Sequence, residues 1–185
     1  MNIEEIKNED LDQLNLDSHV NLINSDEYKR YFLSPSGMEH YRLLSFISSK
    51  YDNVQFLDIG SLKGCSALAF STNQSNRVIS IDVGYHLDLS SIPENIEFLI
   101  DDVLDEKHIN TIHNSKVILL DTFHDGSFEN MFHKHLININ YQGLVLYDDI
   151  HLNTPMLDFW LGIELKKIDI SDIGHITGTG LVFYP

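Results

Sequence analysis

The chain has 185 residues, 43% of them hydrophobic, which suits one well-buried core and falls short of two ordinary domains. Its formal net charge of −16 repels phosphate backbones, so nucleic acid is disfavoured as a partner and a small molecule or a glycan is expected instead. No stretch approaches the roughly 20 apolar residues of a membrane span, the opening Met1-Asn2-Ile3-Glu4-Glu5 is too acidic and polar for a targeting signal, and the single cysteine excludes an internal disulfide, so the expected setting is cytoplasmic.

Residues 1 to about 34 are rich in Asn, Asp and Glu, with scattered apolar positions at Leu11, Leu14, Val20, Leu22 and Ile23. They predict one or two short helices in an arm or cap outside the core, ahead of a main domain over 35–185. After Ser34-Pro35-Ser36-Gly37, the spacing of Met38, Tyr41, Leu44 and Phe46-Ile47 predicts a helix over Met38–Ser49.

A first strand over Val54–Ile59 runs into Asp58-Ile59-Gly60-Ser61-Leu62-Lys63-Gly64 and a helix over Ser66–Ser71. Gly60 and Gly64 let the backbone approach a ligand closely, and the new helix offers unpaired N–H groups, so this turn is a place for a nucleoside cofactor. A dinucleotide fingerprint needs G-x-G-x-x-G; here the order is D-x-G-x-x-x-G, and Asp58 would oppose a pyrophosphate. S-adenosylmethionine, with an ammonium and a sulfonium, suits that charge better.

Strands over Arg77–Ile81 and Ile96–Ile100 come next, and Val83–Pro93 between them is too short and turn-rich for a crossover helix, so a loop or single turn is expected. A short helix around Glu106–Ile112, a strand over Val117–Leu120, a helix over Phe128–Ile137, a strand over Gly143–Tyr147 and a helix over Pro155–Ile163 follow. Lys166–Ile170 and Leu181–Tyr184 are strand-like with no helix between them. The pattern predicts an α/β fold, a doubly wound and mainly parallel seven-stranded sheet with an antiparallel terminal hairpin.

Ligands in such sheets sit beyond the carboxyl ends of the strands. Here those ends carry Asp58, Asp82, Asp101-Asp102, Asp121 and Asp148-Asp149. One acidic strand end reads as a solvated turn or helix cap; five on one rim read as a site. Asp82, about twenty residues past the glycine turn, is placed to accept from ribose hydroxyls or else caps a turn. Asp102 with Val103 is placed to take the adenine, with Asp101 the second choice. Asp58 and Ser61 fall near the methionine end, and Ser66 either caps its helix or bonds the carboxylate.

Asp121, Asp148 and Asp149 make a hard-oxygen set suited to Mg²⁺ or a similar divalent ion. Protonation or a cationic partner would also relieve their repulsion, but cations nearby are few, and Lys116 lies at the far end of its strand. His124, three residues beyond Asp121, suits a general base removing a hydroxyl proton, with His151 a second candidate as base or ligand. His133 and His135 read as surface residues, Cys65 as a small apolar filler, and Gly174-His175-Ile176-Thr177-Gly178-Thr179-Gly180 as a tight turn or a substrate lip with His175 facing the pocket.

Over about residues 35 to 185 these motifs resemble the class I S-adenosylmethionine-dependent methyltransferases, and within them the metal-dependent O-methyltransferase-like branch of catechol-type and macrolide-sugar enzymes. The resemblance rests on Asp58-Ile59-Gly60 through Ala67, Ile79-Ser80-Ile81-Asp82, Leu120-Asp121 with His124, and Tyr141-Gln142-Gly143 through Asp148-Asp149-Ile150-His151. It implies a last strand inserted antiparallel, and a divalent metal held at Asp121, Asp148 and Asp149 that orients the acceptor oxygen. In the catechol-type enzymes a Lys base follows the first ligand by three residues; His124 stands there, so a catechol substrate is not implied. The implied activity is O-methylation of a small hydroxyl acceptor such as a sugar. The alternatives are a non-catalytic S-adenosylmethionine-binding module and a nicotinamide-dependent oxidoreductase, the latter disfavoured by the missing third glycine.

Overall fold

The computed structural model describes residues 6–185. Four short helices, α1 (Asn8–Asp12), α2 (Asp17–Val20), α3 (Asp26–Phe32) and α4 (Tyr41–Ser48), precede β1 (Gln55–Ile59). Then come α5 (Cys65–Phe70), β2 (Arg77–Asp82), β3 (Ile96–Ile100), α6 (Ile109–Asn114), β4 (Ser115–Leu120), α7 (Ser127–Asn138), β5 (Gly143–Asp148), α8 (Thr154–Gly162), β6 (Lys167–Asp169) and β7 (Thr179–Tyr184). The seven strands form one sheet in the order β3-β2-β1-β4-β5-β7-β6. β1 to β5 are parallel to one another, whereas β7 runs antiparallel between β5 and β6. The expected doubly wound sheet and terminal hairpin are therefore present, with β7 inserted beside β5.

Strand alternation divides the apolar residues between two faces. Phe56, Val78, Leu119 and Leu146 pack under α4 and α5, while Leu57, Ile79, Ile118 and Val145 pack under α6, α7 and α8 through Ile112, Phe132, Leu136 and Trp160. The N-terminal segment is more than an arm. Leu11, Leu16, Val20, Ile23 and Phe32 are buried in the same cluster as α4, α5 and the sheet, so the expectation that they lie outside the core is corrected. Polar residues at high density hid the apolar stripe, because each helix there is only one or two turns long and shows too little periodicity.

The helix expected from Met38 begins at Tyr41, and Met38 is exposed. The backbone of Met38 instead accepts from Ile176 N–H, tying the segment ahead of α4 to the loop ahead of β7. No helix forms between β2 and β3, as expected; Leu89 there makes an antiparallel bridge to Ile23. Among the described residues no helix is long and apolar enough to cross a membrane.

Candidate functional site

The five parallel strands end on one edge, and the residues just beyond them build the site. Gly60 leaves β1 with φ of +99°, and a Cβ there would sit 1.7 Å from the backbone oxygen of Asp121, so the turn brings two strand ends closer than any other residue allows. Gly64, φ +86°, starts α5, where a side chain would press on Leu87, Leu89 and Phe98. Asp82 holds this turn: one carboxylate oxygen accepts from Leu62 N–H at 2.9 Å and the other from Gly84 N–H at 3.0 Å.

A cavity of about 580 Å³ opens beside it, within the range of small-ligand sites. Of the expected cofactor residues, Gly60, Asp82, Asp102 and Val103 line it, together with Asp101, Asp121 and His124. Asp101 is held by Lys107 Nζ at 2.5 Å and His108 Nε2 at 3.2 Å, and the nearest of these, Lys107, keeps its carboxyl below the ordinary range.

Asp58, Ser61, Gly64 and Ser66 do not line the cavity. Asp58 is fully buried on the α5 face of β1, opposite Ser80 of β2, whose hydroxyl donates to it at 2.5 Å; Ser61 and Ser80 hydroxyls also bond at 2.5 Å. Burial raises the Asp58 carboxyl to about 7, against the opposing pull of the Ser80 and Ser66 hydroxyls. These residues lie beneath the glycine turn as its support, because β alternation turns Asp58 inward while Ile59 faces the cavity side.

An acid whose folded pKa is raised contributes stability that is fully present below its unfolded value near 3.8 and is lost as pH rises through about 7. Asp58→Asn is expected to flatten the fall in stability between about pH 4 and pH 7, by on the order of 1 kcal/mol or more. Urea melts of both proteins at several pH values test this, and parallel pH curves would refute a protonated Asp58.

The second half of the site is a closed ring of alternating acids and imidazoles. His124 Nε2 lies 3.2 Å from Asp121 Oδ1 and 3.4 Å from Asp149 Oδ2. His175 Nδ1 lies 3.1 Å from Asp149 Oδ1 and 3.2 Å from Asp148 Oδ2. His40 Nδ1 lies 3.2 Å from Asp148 Oδ1, and its Nε2 reaches Asp121 Oδ2 at 3.8 Å. Burial lowers the basicity of each imidazole, but the carboxylates outweigh it: Asp148 above all raises His40 to about 9, Asp148 and Asp149 raise His175 to about 11, and Asp121 raises His124 above 6.5. Asp148, despite a burial that favours its neutral form, is held below its ordinary value by His40 and His175.

Asp121, Asp148 and Asp149 thus converge, but not as the all-oxygen set expected for Mg²⁺. An imidazole stands between each pair, supplying the cation that Lys and Arg do not. Among the described residues the three donors that close to within 4.8 Å of one another are His40, Asp148 and His175.

His124 occupies the expected place, in a backbone conformation rare for a side-chain residue, φ +53°. Its N–H donates to Glu129 Oε1 at 3.1 Å, Thr122 Oγ1 donates to the same oxygen at 3.3 Å, and Asn153 Nδ2 donates to the His124 carbonyl at 2.8 Å. Glu129, 1% exposed on α7, is thus a positioning residue that sequence reading missed. His151 is not brought to the site; its Nε2 bonds Asp169 Oδ2 at 2.7 Å on the exposed surface. His133 is not a free surface group, since its Nδ1 meets the Tyr184 hydroxyl at 2.5 Å. Cys65 is buried, and burial pushes its thiol up to about 12, consistent with a filler. His40 and Glu39 carried no local signal: they matter only because the segment ahead of α4 packs against the loop ahead of β7.

No protein-family model and no curated relative matches the chain. Solved structures do. The SAH-bound methyltransferase PaMTH1 of Podospora anserina superposes with a TM-score of 0.57 at 13% identity, over 78% of this chain and 77% of that one. A candidate caffeoyl-CoA O-methyltransferase of Staphylococcus aureus gives 0.57 at 13% identity over 98% and 94% of the two chains. Cofactor-bound Rv0187 from MTB gives 0.56 at 13% identity over 96% and 87%. At such identity the likeness is one of fold, and it agrees with the strand order and inserted β7 already described: the chain has the α/β fold of the S-adenosylmethionine-dependent methyltransferases.

Proposed function

We propose that this protein transfers a methyl group from S-adenosylmethionine to the oxygen of a small hydroxyl acceptor, such as a sugar. The observation that carries the reading is that one cavity joins Gly60, Asp82, Asp102 and Val103 to Asp121 and His124. Asp82 accepts from the ribose hydroxyls, and Asp102 with Val103 takes the adenine. The sulfonium then points toward the Asp121 carboxylate, which shares the cavity with His124. The fold neighbours include an SAH-bound methyltransferase and a candidate O-methyltransferase, which supports the same class.

Methyl transfer asks for an in-line approach of oxygen to the methyl carbon and a destination for the acceptor proton. As the C–O bond forms, the methyl–sulfur bond breaks, its electron pair stays on sulfur, and the hydroxyl proton passes to His124. With the Nε2 proton donated to Asp121, the free lone pair of the neutral imidazole is on Nδ1, which is enclosed without a protein partner, so the ring turns toward the cavity to meet the acceptor hydroxyl. Glu129 and Asn153 fix the backbone that carries it. The expected Mg²⁺ set is interrupted by imidazoles, so these residues do not fit that ion.

Calorimetric titration with S-adenosylmethionine is the first test; absence of binding by the full chain would refute the reading. Turnover is then followed across a panel of hydroxyl acceptors, where binding without turnover would identify a non-catalytic module. His124→Ala is expected to lower turnover by about 10²- to 10⁴-fold with cofactor affinity unchanged. Weakened cofactor binding in that variant would count against His124 as base.

A further inference from the structure

The acid–imidazole ring contains one member that the methyl-transfer reading leaves without a task. His40 is 2% exposed; its Nε2 has no hydrogen-bond partner, and its Nδ1 faces the buried Asp148 Oδ1 at 3.2 Å without hydrogen-bond geometry. Enclosing an unmatched ring nitrogen beside a poorly aligned acid–imidazole pair is costly, and native interiors rarely tolerate it. None of His40, Asp148 and His175 lines the cofactor cavity.

We propose that His40, Asp148 and His175 hold a borderline transition-metal ion of the Zn²⁺, Co²⁺ or Fe²⁺ class, in place of the all-oxygen Mg²⁺ site expected at Asp121, Asp148 and Asp149. Two imidazole nitrogens and one carboxylate oxygen are the donor set such ions prefer, whereas Mg²⁺ favours oxygen alone and holds its waters. Distances fit with little movement. Bonds of roughly 2.0 to 2.2 Å place adjacent donors about 3 to 3.6 Å apart. Both histidines already stand 3.2 Å from Asp148 oxygens, and the whole donor group spans no more than 4.8 Å.

The scaffold holds the two histidines together. Ile176 N–H donates to the Met38 carbonyl at 3.3 Å, joining the segment that carries His40 to the loop that carries His175. Gly37 packs so closely against Asp172 that a Cβ would come within 2.7 Å of its backbone oxygen. The Thr177 hydroxyl donates to Asp149, beside His175, and Glu39 Oε2 lies 3.7 Å from His175 Nε2. These outer partners can orient His175 toward the ion, as second contacts of metal-bound histidines do.

The test uses the full chain, stripped of metal and free of S-adenosylmethionine, titrated with Co²⁺ and followed by its visible absorption. Expected are saturable bands of a nitrogen-ligated Co²⁺, displaced by Zn²⁺ but not by Mg²⁺ at about thousandfold excess. His175→Ala and His40→Ala are each expected to weaken Co²⁺ at least about tenfold, and Asp121→Asn less than about threefold. Should His40→Ala fail to fold, proton NMR of the Co²⁺-loaded wild type decides: ring signals of two histidines must be displaced by the paramagnetic ion. Failure of the wild type to bind Co²⁺, equal competition by Mg²⁺, a loss in Asp121→Asn matching that in His175→Ala, or no displaced histidine signals would each overturn the proposal. Because no cofactor is present, these outcomes are independent of whether S-adenosylmethionine binds.

Discussion

Gly60→Ala is expected to destabilise the protein by about 3 kcal/mol or more, the largest effect of any single substitution on the glycine turn. Two costs add. The residue has φ of +99°, which a side chain strongly disfavours, and the new Cβ would lie 1.7 Å from the Asp121 backbone oxygen. Neither can relax locally. Gly60 N–H donates to Ile81 and Asp121 N–H donates to Ile59, both at 2.9 Å, so the two segments continue the β1–β2 and β1–β4 pairing. Making room for one methyl group means separating strands and moving Asp121 with them. Gly162→Ala is the control: a Cβ there meets nothing within 4 Å, so its stability should stay equal or rise by up to about 1 kcal/mol. Urea unfolding of the two variants measures both. A loss below about 1 kcal/mol in Gly60→Ala would mean that the strand ends are not as close as described.

Asp82→Ala is expected to weaken S-adenosylmethionine by about 10- to 100-fold, the loss of charge-assisted hydrogen bonds worth about 1.5 to 3 kcal/mol. Both carboxylate oxygens already accept backbone N–H groups, from Leu62 and Gly84. Each oxygen can accept a further hydrogen bond and Asp82 lines the cavity, so one side chain can serve both the turn and the proposed ribose contact. Leu62, at φ +41°, depends on that support. The variant should therefore bind more weakly and melt earlier, whereas Asp82→Asn, which retains one acceptor, should fall between. Calorimetric titration alongside thermal melting separates the effects. Wild-type affinity in Asp82→Ala would remove Asp82 from the cofactor site and leave it as a turn cap alone.

The legible parts of this molecule share a cause. Runs such as Val78-Ile79-Ser80-Ile81 and Val117-Ile118-Leu119-Leu120 announce buried parallel strands because both faces must be apolar, and Gly60 announces a close approach because no other residue allows one. Acids at Asp82, Asp102, Asp121 and Asp148-Asp149 then mark the carboxyl edge on which ligands bind. Asp58 lies outside the cavity for a reason of geometry. A strand end reads as one location, yet alternate side chains go to opposite faces, and Asp58 goes inward to Ser80.

Sequence alone determined the element order, the glycine turn, the acid rim and the place of His124, since each rests on a local rule of periodicity, backbone freedom or strand polarity. Tertiary structure decided what the acids meet. His40 precedes α4, His175 precedes β7, Glu129 lies on α7, and nothing in their local surroundings says that they reach Asp148 or the His124 backbone. The N-terminal helices were hidden in the same way. Their apolar residues are too sparse to define a face until packing against α4, α5 and the sheet gathers them. Charge compensation depends on distance in space, which falls off over a few ångströms and is independent of distance along the chain. Three carboxylates that read in sequence as an oxygen cage for a hard ion therefore became, in the fold, a ring divided by three histidines.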